Sequence, residues 1–178
     1  MELFEVFQRR RSIRRFEDRP VEKEKILRLL EAAFLAPSGR NIRPWHFVVI
    51  TDRDIIRKLA DAKSGARPLT TAPLAIVVAA DEDTTDIWIE DSSIAADHIH
   101  LAATDLGLGS CWIQIRGRQN IQSDQTAEQY VRQLVGLPEC FRITCIIAVG
   151  YPAEHKPPHD PRIEFDKVSL NHYGNPLD

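Results

Sequence analysis

The chain has 178 residues, 43% of them hydrophobic and 28% charged, with a formal net charge of −3. This size and balance suit one globular domain that buries roughly 70% of its unfolded surface. They argue against general polyanion binding, and no apolar run approaches the roughly 20 residues that span a bilayer.

Residues 2–10, ELFEVFQRR, place Leu3, Phe4 and Phe7 on one helical face. Charge follows the apolar residues here, which is not signal-peptide order, so a cytoplasmic location is expected. RRRSIRRF at 9–16 then ends the helix with five arginines among eight residues. Pro20 opens a second helix with Ile26, Leu29, Leu30, Ala33 and Phe34 at helical spacing, and Pro37 and Gly39 stop it. WHFVVIT at 45–51 predicts a buried strand, and Asp52 can cap a following helix that carries Ile55, Ile56 and Leu59. APLAIVVAA at 72–80 predicts a second strand. The stretch from about 86 to 105 is a helix apolar on several faces, as expected of a central or shared element. GLG at 107–109 ends it, SCWIQI starts a third strand, 125–136 is a short helix, and ITCIIAVGY makes a fourth strand. The proline-rich tail from Pro152 is expected to wrap over the surface. With no repeat or linker, one domain over 1–178 is predicted, carrying an extension at about 152–178.

Three stretches carry possible chemistry. The arginine run offers several guanidinium forks and the Ser12 hydroxyl, a set suited to one phosphate. Taken alone it reads first as a solvated basic turn partly neutralised by Glu17 and Asp18. APSGRNIRPWHF at 36–47 turns the chain at Ser38 and Gly39 and presents Asn41, either to an amide-like edge or to its own backbone. GLGSCWIQ ends a helix instead of opening one, so it is not a dinucleotide fingerprint. Cys111, Cys140 and Cys145 lie in apolar surroundings and read as buried free thiols. His98 and His100 are two apart on a helix, which makes them a poor metal pair, and Glu90–Asp91 reads as solvated.

In order, RRSIRRF, the helix running into APSGRN and PWHFVVIT, the long helix ending in LGLGSCWI, VGYP and a late arginine resemble the nitroreductase family of FMN-dependent oxidoreductases. The resemblance runs from about Leu3 to Tyr173. It implies an α+β fold with a central mixed sheet surrounded by helices, and an intertwined homodimer with FMN at the interface. It implies FMN contacts from Arg10, Arg11, Ser12 and Arg14, and from Pro37, Ser38, Arg40 and Asn41 of the other subunit. Cys111, Trp112, Ile113 and Gln114 would lie against the ring, with the Gln114 N–H toward flavin N5, and Arg162 of the tail would close the phosphate site. Arg14 and Gln114 are the flavin-tuning candidates; no side chain need act as acid or base, and no metal is implied. Either Lys63 or Arg67 would meet the pyrimidine edge. The implied reaction is hydride transfer from NADH or NADPH to FMN and then to a nitroaromatic, quinone or similar acceptor. The alternative is a flavin carrier or sensor without turnover. No nucleic acid or membrane partner is expected. Where many members carry glutamine before Pro-Trp, this chain has Arg43.

Overall fold

The computed structural model describes residues 1–177. Its elements in chain order are α1 (Leu3–Arg9), α2 (Lys23–Phe34), β1 (Trp45–Ile50), α3 (Arg53–Leu59), β2 (Leu74–Asp81), α4 (Trp88–Asp105), β3 (Gly109–Gln114), α5 (Ala127–Val135) and β4 (Phe141–Gly150). Every helix and strand expected from periodicity is present. Local chemistry sets several ends. Asp52 accepts from the N–H groups of Asp54 and Ile55 and so caps α3. Thr126 and Gln129 form a reciprocal capping box on α5, and Gly136, at φ 68°, closes it.

The strands form one sheet in the order β1-β2-β4-β3. The α+β class holds, but the sheet is not mixed, because every neighbouring pair of strands is antiparallel. Ile50 at the end of β1 pairs with Ala75 near the start of β2, and Gln114 at the end of β3 pairs with Cys145 of β4. Each intervening segment therefore returns the chain at the end where it left. A parallel pairing would require a crossover along the whole strand, about 20 Å for β1, and α3 is only about 10 Å long. One parallel contact exists, an isolated bridge between Ser12 and Ser110.

Alternation along the strands builds two cores. Ala75, Val77, Ala79, Cys111, Ile113, Ile146 and Ala148 face α3 and α5 with Ile56, Leu59, Ala127 and Val131. Leu74, Ile76, Val78, Cys145, Ile147 and Val149 face α2 and α4 with Leu29, Ala33, Ala96, Ile99 and Ala103. The ladder between β2 and β4 shifts register between Val78 and Ala79, opposite Cys145 and Ile143. Thr144 is the extra residue of this bulge. It lets Ile143 and Ile146 share one core although they are three apart.

Large apolar side chains remain on the surface of α1 (Leu3, Phe4, Phe7), α2 (Leu27, Phe34), α4 (Ile94) and the tail (Ile163, Phe165, Tyr173). Among the described residues, no helix is long and apolar enough to cross a membrane. Cys111 and Cys145 are buried as expected, whereas Cys140 is exposed, in the turn that precedes β4.

Candidate functional site

After α1 the arginine segment runs along the outer edge of β3. The Ile13 N–H donates to the Ser110 carbonyl at 2.9 Å, next to the Ser12–Ser110 bridge. Gly109 permits this approach, since a Cβ there would lie 2.8 Å from Ile13 Cβ. The tail crosses on the other side. The Ala153 N–H donates to the Arg15 carbonyl at 2.9 Å, the Arg14 N–H to Glu154 Oε1 at 2.5 Å, and the His159 N–H to the Gln8 carbonyl at 2.7 Å. Lys156 Nζ donates to the Ser12 carbonyl and Arg11 to the Pro157 carbonyl.

Not every arginine of the run is free. Arg9 pairs with Glu5 at 3.0 Å and Arg15 with Glu154 at 3.7 Å. The neutralising carboxylates are thus Glu5 and Glu154, and Asp18 pairs instead with Arg53. Arg10, Arg11 and Arg14 have no carboxylate partner among the described residues. The Arg10 guanidinium lies 3.4 Å from His159 Nε2. Arg11 is turned away from Arg10: with Ile13, Gly109 and Lys156 it lines a cavity of about 510 Å3 in which Arg10 has no part, and Lys156 also reaches the Ser12 carbonyl. Residues two apart in an extended segment share a side, which accounts for Arg11 and Ile13 lying together.

β3 is an edge strand, and its backbone polarity is fixed by its one neighbour. The Ile115 N–H donates to Thr144 of the bulge, and the Ser110 carbonyl faces the arginine segment. By the same period of two, the N–H groups of Trp112 and Gln114 point to the open edge. The Gln114 side chain is engaged elsewhere, accepting from Trp112 Nε1 at 2.9 Å and donating to the Arg116 carbonyl at 3.0 Å. That leaves its backbone N–H as the edge donor. Burial is the first cause that raises the Cys111 thiol pKa, with Arg14 and Lys156 pulling it back. Both cations lie near this strand, since Lys156 meets the Ser12 carbonyl and Arg14 follows Ile13, which bonds to Ser110. Lys63 shares a cavity with Gln114, whereas Arg67 is exposed in the short 3-10 turn that follows. Of the two pyrimidine-edge candidates, Lys63 is the one beside β3.

His100 of α4 supports the strand from beneath. Its Nδ1 lies 2.7 Å from Ser110 Oγ, and its ring stacks at 6.2 Å from Trp112. Burial, aided by Arg10, lowers its pKa from 6.5 to about 4. Between those pH values the unfolded chain binds a proton that the folded chain refuses. Stability should therefore fall as pH drops from about 6.5 toward 4, by a total on the order of 3 kcal/mol. Denaturant melts across this range check it, and His100→Gln should flatten the slope. Glu22, held down to about 2 first by the Tyr151 hydroxyl, acts only below its unfolded value of 4.5.

The second predicted stretch docks on the start of α4. The Gly39 N–H donates to Asp91 Oδ1 at 2.9 Å, Ser38 Oγ accepts from the Arg43 N–H at 3.0 Å, and Arg40 pairs with Asp86 at 3.3 Å. Arg40, Asn41 and Arg43 all take positive φ, from 53° to 56°, an unusual concentration for side chains other than glycine. Arg43 donates to the Phe34 carbonyl at 2.6 Å and so caps the end of α2.

Asp91 is 2% exposed and its Oδ2 has no partner among the described residues. The sequence reading missed it by treating Glu90–Asp91 as solvated; only Glu90 is exposed. Asp91→Ala should cost about 1–3 kcal/mol, because the Gly39 N–H loses its acceptor, whereas Asp91→Asn keeps an oxygen there and should hold most of the stability. Urea midpoints of the two variants test this.

Within one chain the predicted residues form separate groups. Asp91, under the Pro37–Asn41 turn, and His100, under the arginine segment, are about 14 Å apart along α4. Arg162 is exposed and lines only a shallow cleft with Ile163–Lys167. The tail side chains that reach the arginine segment are Lys156 and His159. His98 and His100 do not converge, since His98 Nδ1 contacts the Ala32 carbonyl.

The nitroreductase family model matches residues 7–67 and 63–151. A protein of Archaeoglobus fulgidus, whose provisional name pairs NADH dehydrogenase with NAD(P)H nitroreductase, is 37% identical over 87% of this chain and 88% of its own length. An FMN-dependent nitroreductase from Clostridium difficile R20291 superposes with a TM-score of 0.90 at 41% identity, over 94% of this chain and 98% of that one.

Proposed function

The chain belongs to the nitroreductase family, and we propose from that membership that it uses FMN to pass reducing equivalents from NADH or NADPH to a small acceptor such as a nitroaromatic or quinone. As a member it is an oxidoreductase. The observation that carries the cofactor assignment is the free cations Arg10 and Arg14 beside an open strand edge, in a chain that is acidic overall. A phosphomonoester bears close to two negative charges and matches that surplus.

Arg10 and Ser12 would hold the phosphate. Lys156 and His159 would close it in the role the resemblance gave to Arg162. Arg11, engaged with Pro157, would fix the tail. Arg14 would set a cation against the electron-rich edge of the ring and tune its potential. Cys111–Gln114 would form one wall, with the Gln114 N–H as donor toward the reacting edge. FMN, when bound, supplies hydride chemistry, and the residues around it bind, orient and tune.

Pro37, Ser38, Arg40 and Asn41 sit too far from the arginine segment of their own chain to join it, so a second copy would supply them. The exposed apolar side chains of α1, α2, α4 and the tail support a homodimer, because a patch of this kind usually marks an interface. One domain with a tail from about residue 152 reaching over the partner, and a cytoplasmic location, complete the reading. Sedimentation and cofactor release test it: the protein should purify yellow, release one FMN per chain and sediment at twice the chain mass. A colourless monomer that takes up no FMN would contradict it.

A further inference from the structure

We propose that Lys63 and Arg118 receive an anionic group, a carboxylate or phosphate, on the molecule that reacts at the Gln114 cavity. This deepens the flavin reading above and rests on it, and it gives Lys63 to the anion in place of the pyrimidine-edge contact that the resemblance implied. The cavity, of about 430 Å3, is lined by Lys63, Ser64, Gln114, Arg118 and Gln119. It therefore opens beside the residue assigned to the reacting edge.

Two features make it a built site. The first is charge. Neither cation has a carboxylate within ion-pair distance among the described residues, although acids outnumber Lys and Arg by 26 to 23. Several arginines elsewhere are paired, as in Arg142 with Glu82 at 2.6 Å and Arg132 with Glu128 at 3.1 Å. Burial and then the neighbouring Arg118 lower the pKa of Lys63, as expected of like charges side by side. An anion between them would relieve that repulsion.

The second feature is rigidity. Asn120, 7% exposed, donates through Nδ2 to the Asp61 carbonyl at 3.0 Å and the Ala62 carbonyl at 3.2 Å. The loop that carries Arg118 is thereby tied to the loop that carries Lys63. The Arg118 backbone is itself held between Ile115 and Ala127, at 3.1 and 2.9 Å. Gly65 completes the shape: at φ 87° it leaves room for the Lys63 amine, which lies 3.1 Å from where a Cβ would stand. Two loops tied together ahead of binding present both cations to one cavity, which lowers the ordering cost of recognising an anion.

The anion could belong to the acceptor, as a carboxylate, or to the donor, as the extra phosphate of NADPH. FMN-loaded protein is compared as wild type, Arg118→Gln and Arg118→Lys, with 4-nitrobenzoate and 4-nitrobenzyl alcohol as matched acceptors and with NADH and NADPH as donors. Arg118→Gln should raise KM about tenfold for the anionic member of one pair, leave its neutral or less charged counterpart within twofold, and keep kcat. Arg118→Lys should stay near wild type. The pair that responds identifies the source of the anion. Unchanged KM values, or KM values that move together across both pairs, would overturn the proposal. Calorimetric binding of 4-nitrobenzoate against the alcohol gives a readout without turnover. Charge discrimination that disappears in Arg118→Gln supports the cation pair even in protein that fails to take up FMN, a failure that would count against the flavin reading alone. FMN uptake without any discrimination would count against the cation pair alone.

Discussion

Replacing Arg10 and Arg14 together with alanine is expected to weaken FMN binding at least a hundredfold. Each removes a charge-assisted contact worth roughly 1.5–3 kcal/mol when sheltered, so the pair amounts to about 3–6 kcal/mol. The fold should tolerate the change. Neither guanidinium has a carboxylate partner, and their own contacts are long, 3.4 Å from Arg10 to His159 and 3.4 Å from Arg14 to the Ser12 carbonyl. Fluorescence titration of FMN into the stripped protein, beside a thermal melt of each variant, separates loss of binding from loss of fold. An affinity within a few-fold of wild type would place the phosphate elsewhere.

Gly109→Ala is expected to damage fold and site together. The added Cβ would meet Ile13 Cβ and Cγ1 at 2.8 Å and Cγ2 at 2.9 Å. These atoms are the branch point of a β-branched side chain, not the end of a flexible one, so no rotamer clears them. Overpacking of this kind costs about 1–3 kcal/mol, and the upper end is expected here. Relief would come from moving the arginine segment off β3, which breaks the Ile13–Ser110 bond and displaces Arg10, Ser12 and Arg14. Denaturant midpoint and FMN affinity should therefore fall together. Ile13→Val in the Gly109→Ala background trims the side chain without freeing its branch point and should recover little. Full stability with intact FMN binding in Gly109→Ala would show that this contact does not position the site.

Periodicity made the elements legible, because each apolar face in the sequence meets a face of the sheet. Asp52 and the glycines after α4 also act where their chemistry places them. The pairing direction was within partial reach, since α3, at about 10 Å, is too short to carry a crossover along β1, a length the expectation of a mixed sheet did not weigh. Within the arginine run, composition shows a surplus of charge but not its division. Glu5 and Glu154 claim Arg9 and Arg15, and the strand period separates Arg11 from Arg10. Asp91 was hidden for a different reason. Its burial depends on a turn some fifty residues earlier docking over it, and nothing in its local sequence distinguishes it from Glu90. The same holds for Lys63 and Arg118, which meet only because Asn120 ties one loop to the other. Arg162 shows the reverse: its position in the tail suggested a role at the phosphate, yet within one chain it stands clear of the arginine segment, which Lys156 and His159 reach.

The central claim is that this chain binds FMN and reduces it with a nicotinamide. Its most direct test is anaerobic mixing of the purified, FMN-loaded protein with NADH and separately with NADPH, following the visible absorbance of the flavin. Bleaching with at least one donor, and return of the colour when a nitroaromatic or quinone is admitted, is the predicted result. Colour that persists with both donors would contradict the account and leave a protein that carries flavin without turning it over.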